Sequence, residues 1–178
     1  MFGEPRDEQI GGIKMIARLL RMSFALLLGL VLTVHADLPT KKVLTLNVAK
    51  KIAAAAEAEA IKRGATVVIV VVDDGGYPLI LERLDNTQVA SVDVGIGKAR
   101  TAAIFRRPSK VFEDQVRDGR VAALALPGAT PLQGGVPLLY EGKVIGAIGV
   151  SGNTPQEDED IAMAGAAVTV SAIEAEGK

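Results

Sequence analysis

The alternation of apolar and polar positions divides the chain into a short list of elements. Thr45 is placed to cap a helix running to about Arg63, with Leu46, Ala49, Ile52, Ala53, Ala56, Ala60 and Ile61 on its buried side. Gly64 is placed to end it. Val67 to Val72 is an unbroken apolar, β-branched run, short enough for a central strand. Asp73-Asp74-Gly75-Gly76 reads as a turn, and Tyr77 to Leu84 returns as the hairpin partner, with Pro78 near its start where a missing N–H is tolerable. Asn86-Thr87 opens a second helix from about Gln88 to Phe105, and Pro108 ends that element. Ser109 to Val116 reads as a short helix capped by Ser109, and Val121 to Leu126 as a short strand inside a Pro- and Gly-punctuated loop.

Gly134 to Gly152 then reads as two strands joined at Glu141-Gly142, because a glycine supplies the positive φ of a tight hairpin turn. Strict alternation puts Val144, Gly146, Ile148 and Val150 on one face and Ile145, Ala147, Gly149 and Ser151 on the other. Both faces are apolar or small, which predicts cover on both sides. The last helix has the fullest set of start signals: Thr154 at the N-cap, Pro155 at the first helical position and Glu157 completing a capping box. Ile161, Ala164, Val168 and Ile173 can face the sheet, Met163 is expected in the core, and Gly177 lies beyond the helix end. Five candidate strands with hairpin connections, and helices before, between and after them, predict an antiparallel sheet in an α/β (α+β) setting.

Ahead of these elements Lys14, Arg18 and Arg21 precede the apolar run Phe24 to Leu32, and Val34-His35-Ala36 follows. Basic, apolar and small-residue segments in that order predict a secretory signal with an extended N-terminus over residues 1–36, cleaved after Ala36, and a periplasmic or secreted domain over 37–178. The apolar run is shorter than the roughly 20 residues of a membrane span. Acidic residues ahead of the basic ones leave Met1, Met15 and Met22 open as translation starts.

Composition narrows the chemistry. Hydrophobic residues make up 49% of the chain but aromatics only 3%, so the core is built from Ala, Val, Ile and Leu. That scarcity of large side chains predicts a homo-oligomer. The formal net charge is −1, which gives no electrostatic case for nucleic acid. The chain has no cysteine, which removes disulfides, thiolate metal sites and cysteine nucleophiles. Its one histidine, His35, precedes the predicted cleavage site, so Ser151 has no imidazole to activate it. Backbone N–H groups at Gly134-Gly135, with Ser151-Gly152 at the start of the last helix, form a candidate anion site, and Arg83 and Lys98 are the cations expected near it. The alternative for both cations is a surface pair with Asp85 or Glu82. Asp85 and Asp158 are the candidate acid/base groups. The acidic turn and the acidic first turn of the last helix serve caps more readily than a metal, so no metal site is predicted.

The run from Gly134 to Gly152, followed by Gln156 to Ala162, resembles the GlcG/HbpS family, the haem-degrading-domain proteins that include the C-terminal part of PduO-type proteins. Val72 to Gly76, Glu82 to Asn86 and Gly97 to Ala102 extend the resemblance over about residues 43–175. It implies a profilin-like layered fold with a five-stranded antiparallel sheet, haem as cofactor or ligand, and high-order assemblies. The sequence departs from a simple haem site, because the chain beyond Ala36 leaves only Tyr77, Tyr140 and Met163 as conventional axial ligands. Three readings stand: a secreted small-molecule-binding oligomer of this type, an enzyme or accessory factor acting on a small hydroxy- or oxo-acid with Arg83 as its anchor, and a structural or sensor-partner protein without catalysis.

Overall fold

The computed structural model describes residues 38–176, and its helices and strands begin at Leu46. The predicted signal segment, His35 and Gly177 lie outside the described residues. The elements run α1 (Leu46–Arg63), β1 (Val68–Asp73), β2 (Pro78–Arg83), α2 (Ser91–Phe105), α3 (Lys110–Arg117), a 3-10 turn (Val121–Ala125), β3 (Gly135–Tyr140), β4 (Lys143–Ser151), α4 (Pro155–Ala167) and α5 (Thr169–Glu174). The fold is the mixed α/β layer structure expected, with four strands where five are predicted. The sheet is antiparallel throughout, in the order β2-β1-β4-β3.

β1 is central, and every residue from Val67 to Val72 is fully buried. Val67, Ile69 and Val71 pack under α1 and α4 on one face, while Val68, Val70 and Val72 meet Ala99, Ala102 and Ala103 of α2 on the other. Alternation on a two-sided strand therefore builds two cores of unequal size. The larger holds Ile52, Leu138, Ile148 and Ile161, and the smaller is made almost wholly of Val and Ala. Small side chains bring α2 close to the sheet. A Cβ placed on Gly149 would overlap the Gly95 carbonyl oxygen and lie 2.5 Å from the Ala99 nitrogen, so this strand position has to be glycine for α2 to sit where it does.

Helix starts and turns follow their local chemistry. Thr45 Oγ1 accepts from the Val48 N–H (3.2 Å), and Gly64 ends α1 in the left-handed region at φ 65°. Thr154 and Glu157 form the reciprocal capping box of α4. In the β3–β4 turn Glu141 and Gly142 have φ of 49° and 72°, the pair of positive angles that a two-residue hairpin needs.

Four details differ from the sequence expectations. Val121 to Leu126 is not a strand: the Ala123 and Leu126 N–H groups bond three residues back, so the segment satisfies itself locally as a 3-10 turn. On β4 the register passes from Leu138↔Gly146 to Leu139↔Val144, leaving Ile145 as the extra residue of a bulge. The bulge turns Ile145 into the larger core, so strict alternation fails on that side of it. Leu46, Ile61 and Met163 are about half exposed or more, at 50%, 66% and 55%, and lie on outer helix surfaces. The last helix breaks at Val168; Ile161 is buried with Ala162 and Gly165, while Ala164, Val168 and Ile173 are only partly so.

Both edge strands carry a proline, Pro78 at the start of β2 and Pro137 within β3. Gly135, two residues before Pro137, turns its backbone to Ser109: the Ser109 N–H donates to the Gly135 carbonyl (2.9 Å) and the Gly135 N–H donates to Ser109 Oγ (2.8 Å). Ser109 is therefore a clamp on the sheet edge, and its side chain does not cap α3. Among the described residues no helix is long and apolar enough to cross a membrane.

Candidate functional site

Lys98 lies in the middle of α2, on the face that packs against the sheet, and only 4% of its surface is exposed. Its Nζ donates to Asp158 Oδ2 (2.7 Å) and to the Val150 carbonyl (3.0 Å). Asp158, 2% exposed, sits in the first turn of α4, and its Oδ1 accepts from the Asn153 N–H (3.0 Å). Burial raises the Asp158 carboxyl above its ordinary range, while the Lys98 bond and the backbone N–H groups of Asn153 and Gly152 pull it back. The pair ties α2 to the end of β4 and the start of α4, which lie more than 50 residues further along the chain.

The pair forms the floor of a cleft of about 230 Å³ whose walls include Ser91, Glu113, Gln133, Ser151 and Asn153. Gln133 is 6% exposed and is held firmly: its Nε2 donates to Gln156 Oε1 (3.1 Å) and Glu159 Oε2 (2.6 Å), and its backbone N–H donates to Glu113 Oε2. Ser91, 1% exposed, lines the same cleft with its Oγ unpartnered.

Of the predicted site residues, Lys98, Ser151, Gly152 and Asp158 come together at this cleft. Gly134 lies behind it, where a Cβ would come 3.0 Å from both Lys98 Nζ and Asp158 Cβ, and Gly135 packs on the Lys98 carbonyl. The backbone N–H groups of Gly152 and Asn153 are taken by the Asp158 carboxylate, and that of Gly135 by Ser109 Oγ. Neither Asp85 nor Glu82 pairs with Lys98. Arg83 stands exposed on the edge strand β2 opposite Val68, and Asp85 is exposed in the following turn, so neither lines the cleft. Glu82 is half-buried with an unpartnered Oε2, and burial followed by the nearby Glu57 carboxylate raises its pKa.

Ser91, Glu113 and Gln133 were not legible as site residues, although Ser91 stands seven residues before Lys98 on one helix face, a spacing that could have found it.

Glu113 and Leu132 also form one wall of a second, apolar groove of about 600 Å³, completed by Val116, Arg117, Leu124, Thr130 and Pro131. That volume lies in the range of small-molecule and cofactor sites. None of the residues lining it is His, Cys, Met or Tyr. Tyr77 is exposed on the β1–β2 turn with Arg100 over its ring, Tyr140 packs beside Lys42, and Met163 faces outward. The groove therefore suits a flat apolar ring by size and lining; its one cation, Arg117, pairs with Asp114, and the groove offers iron no conventional protein ligand.

Comparison with known proteins places these features in a wider set. The family described as haem degrading protein HbpS-like matches residues 44–167. Protein GlcG of Escherichia coli K12 is 44% identical over 112 residues, covering 63% of this chain and 84% of that protein. A crystal structure of a Streptomyces reticuli HbpS double mutant superposes with a TM-score of 0.70 at 34% identity, covering 78% of this chain and 94% of that one. The structure of a complex of PduOC with haem gives a TM-score of 0.65 at 25% identity, over 71% and 94% of the two chains.

Proposed function

Because the chain belongs to the HbpS-like family of haem-degrading proteins, we propose that it is a small-molecule-binding protein that takes haem or a haem-like amphiphile into the Leu124–Leu132 groove. The observation that carries this reading is the groove itself, about 600 Å³ of mainly apolar wall with one arginine in its lining. Burial of the ring supplies most of the affinity, at about 25 cal/mol per Å² of apolar surface removed from water. Arg117 already pairs with Asp114, so a propionate that shares it at the exposed rim adds only about 0–1 kcal/mol. Lys98 takes no part in holding the ligand's acids, because its charge is committed to Asp158. When bound, haem would bring an iron centre; this chain contributes the apolar walls, the Arg117 charge and no strong-field ligand from the groove.

Titration with haemin tests the assignment. Leu124→Asp puts a charge on the groove wall and is expected to weaken binding about tenfold, from the loss of roughly 60 Å² of apolar contact. Arg117→Ala is expected to cost threefold or less. Affinity unchanged by Leu124→Asp, or a sharp six-coordinate low-spin spectrum, would overturn the placement.

The same reading includes export and self-association. The succession of basic, apolar and small residues in the sequence before Asp37 supports removal of residues 1–36, and the exposed Ile61, Met163 and Val170 support contact between copies. The expected product is a periplasmic or secreted chain whose intact mass begins at Asp37 and whose light scattering exceeds that of a monomer. A product retaining Leu26 to Leu32 would contradict export.

A further inference from the structure

The polar cleft on the other side of Glu113 and Leu132 presents hydrogen-bonding groups that the fold itself does not use. A buried hydroxyl without a partner is costly, yet Ser91 is 1% exposed, lines the cleft, and leaves its Oγ unpartnered. Lys98 has three N–H donors and the protein takes two of them, at Asp158 and Val150. Ser91 and Lys98 stand two turns apart on one face of α2, so both reach the same space. Gln133 is locked by its amide nitrogen, which fixes its carbonyl oxygen as an acceptor.

Charge decides what kind of molecule suits these groups. Lys98 and Asp158 cancel, and the Glu113 carboxylate leaves the lining net negative. Carboxylates and phosphates are repelled, while a neutral group that both donates and accepts meets a partner at each position. Size adds a limit: at about 30 Å³ for each water-sized group, a cleft of 230 Å³ holds roughly seven.

We infer that this cleft is a binding site for a small neutral hydroxylated molecule of about triol size, held by Ser91 Oγ, Lys98 Nζ and the Gln133 carbonyl oxygen. It is distinct from the apolar groove and does not depend on haem binding there.

The experiment compares glycerol with glycerate, its acid counterpart of equal carbon number, by amide shifts of the full ¹⁵N-labelled chain. Glycerol is expected to move the amides of Ser91, Lys98 and Gln133, and glycerate to bind about tenfold more weakly. Ser91→Ala is expected to weaken glycerol about tenfold. Glu113→Gln keeps an acceptor for the Gln133 N–H and is expected to raise the glycerate-to-glycerol affinity ratio about fivefold. Tighter binding of glycerate than of glycerol overturns the proposal, as do glycerol shifts absent from those three amides or unaltered affinity in Ser91→Ala. Haemin and glycerol probe opposite sides of the Glu113 and Leu132 wall, and Leu124→Asp and Ser91→Ala each touch one side alone, so failure of one reading is seen separately from failure of the other.

Discussion

Lys98→Met is expected to lower the unfolding free energy by about 3–5 kcal/mol, the largest effect of any single substitution considered for this chain. Methionine keeps the length and apolar stem of lysine, so packing along α2 changes little. What changes is that Asp158 stays 2% exposed with no cation beside it, and the Val150 carbonyl loses its donor. Burial already raises the Asp158 carboxyl, and removing Lys98 raises it further. The native variant then holds a proton that the unfolded chain has released, so its stability declines as pH rises from the unfolded value of 3.8. The deficit against the parent chain is accordingly smallest in acid. Adding Asp158→Asn should recover about 1–3 kcal/mol, because asparagine keeps an acceptor for the Asn153 N–H and removes the unpaired buried charge. Urea denaturation at pH 4 and pH 7 measures both quantities. A loss below about 1 kcal/mol at pH 7 would mean that water reaches the pair and that it is not the buried junction of three elements.

The second large effect comes from adding one carbon. Gly149→Ala exchanges a poor strand residue for a somewhat better one, and propensity alone predicts a small gain. The new Cβ would stand 2.8 Å from Ala99 Cβ and 2.5 Å from the Ala99 nitrogen, with the Gly95 carbonyl closer still. Two of these three neighbours are backbone atoms of α2 and cannot swing aside, so the helix must lift from the sheet. The expected cost is about 2–3 kcal/mol. Gly142→Ala is the comparison: nothing lies within 4 Å of its Cβ position, and only the φ of 72° opposes it. That change should cost roughly 1 kcal/mol. If the two substitutions cost the same in thermal or chemical unfolding, helix contact is not what requires glycine at 149.

How far the residues could be read in advance depended on the range of the interactions involved. Thr45, Gly64 and the Thr154-Pro155-Glu157 start are local devices, complete within a few residues, and each stands where its type predicts. The β-branched run from Val67 to Val72 likewise announces a strand buried on both faces. Val121 to Leu126 misleads for the converse reason: an apolar run is not by itself a strand, and this one has no neighbour to pair with, so it coils on its own carbonyls. The Ile145 bulge is set by pairing with β3 across the sheet, which no periodicity along β4 can carry. The cleft shows the same limit. Lys98 and Asp158 each carry a type that suggests chemistry, but they meet across 60 residues of chain. The sequence signals gave their identity and not their commitment to one another. Arg83 has an equally suggestive type and stands on an edge strand, away from both cavities.

The Ser109 clamp on β3 bears on how copies of the chain can meet. Growth of a sheet from molecule to molecule needs two receptive rims, one to give and one to take. At β3 the outward backbone groups of Gly135 are already bonded to Ser109, and two residues on Pro137 has no N–H to offer. The first half of the β3 rim is closed to another strand, which leaves β2 as the more receptive rim, and one rim used by two copies gives a closed two-fold pair. Edge pairing between copies is therefore directed to the β2 rim, and the Ser109 clamp makes continued growth through β3 unfavourable.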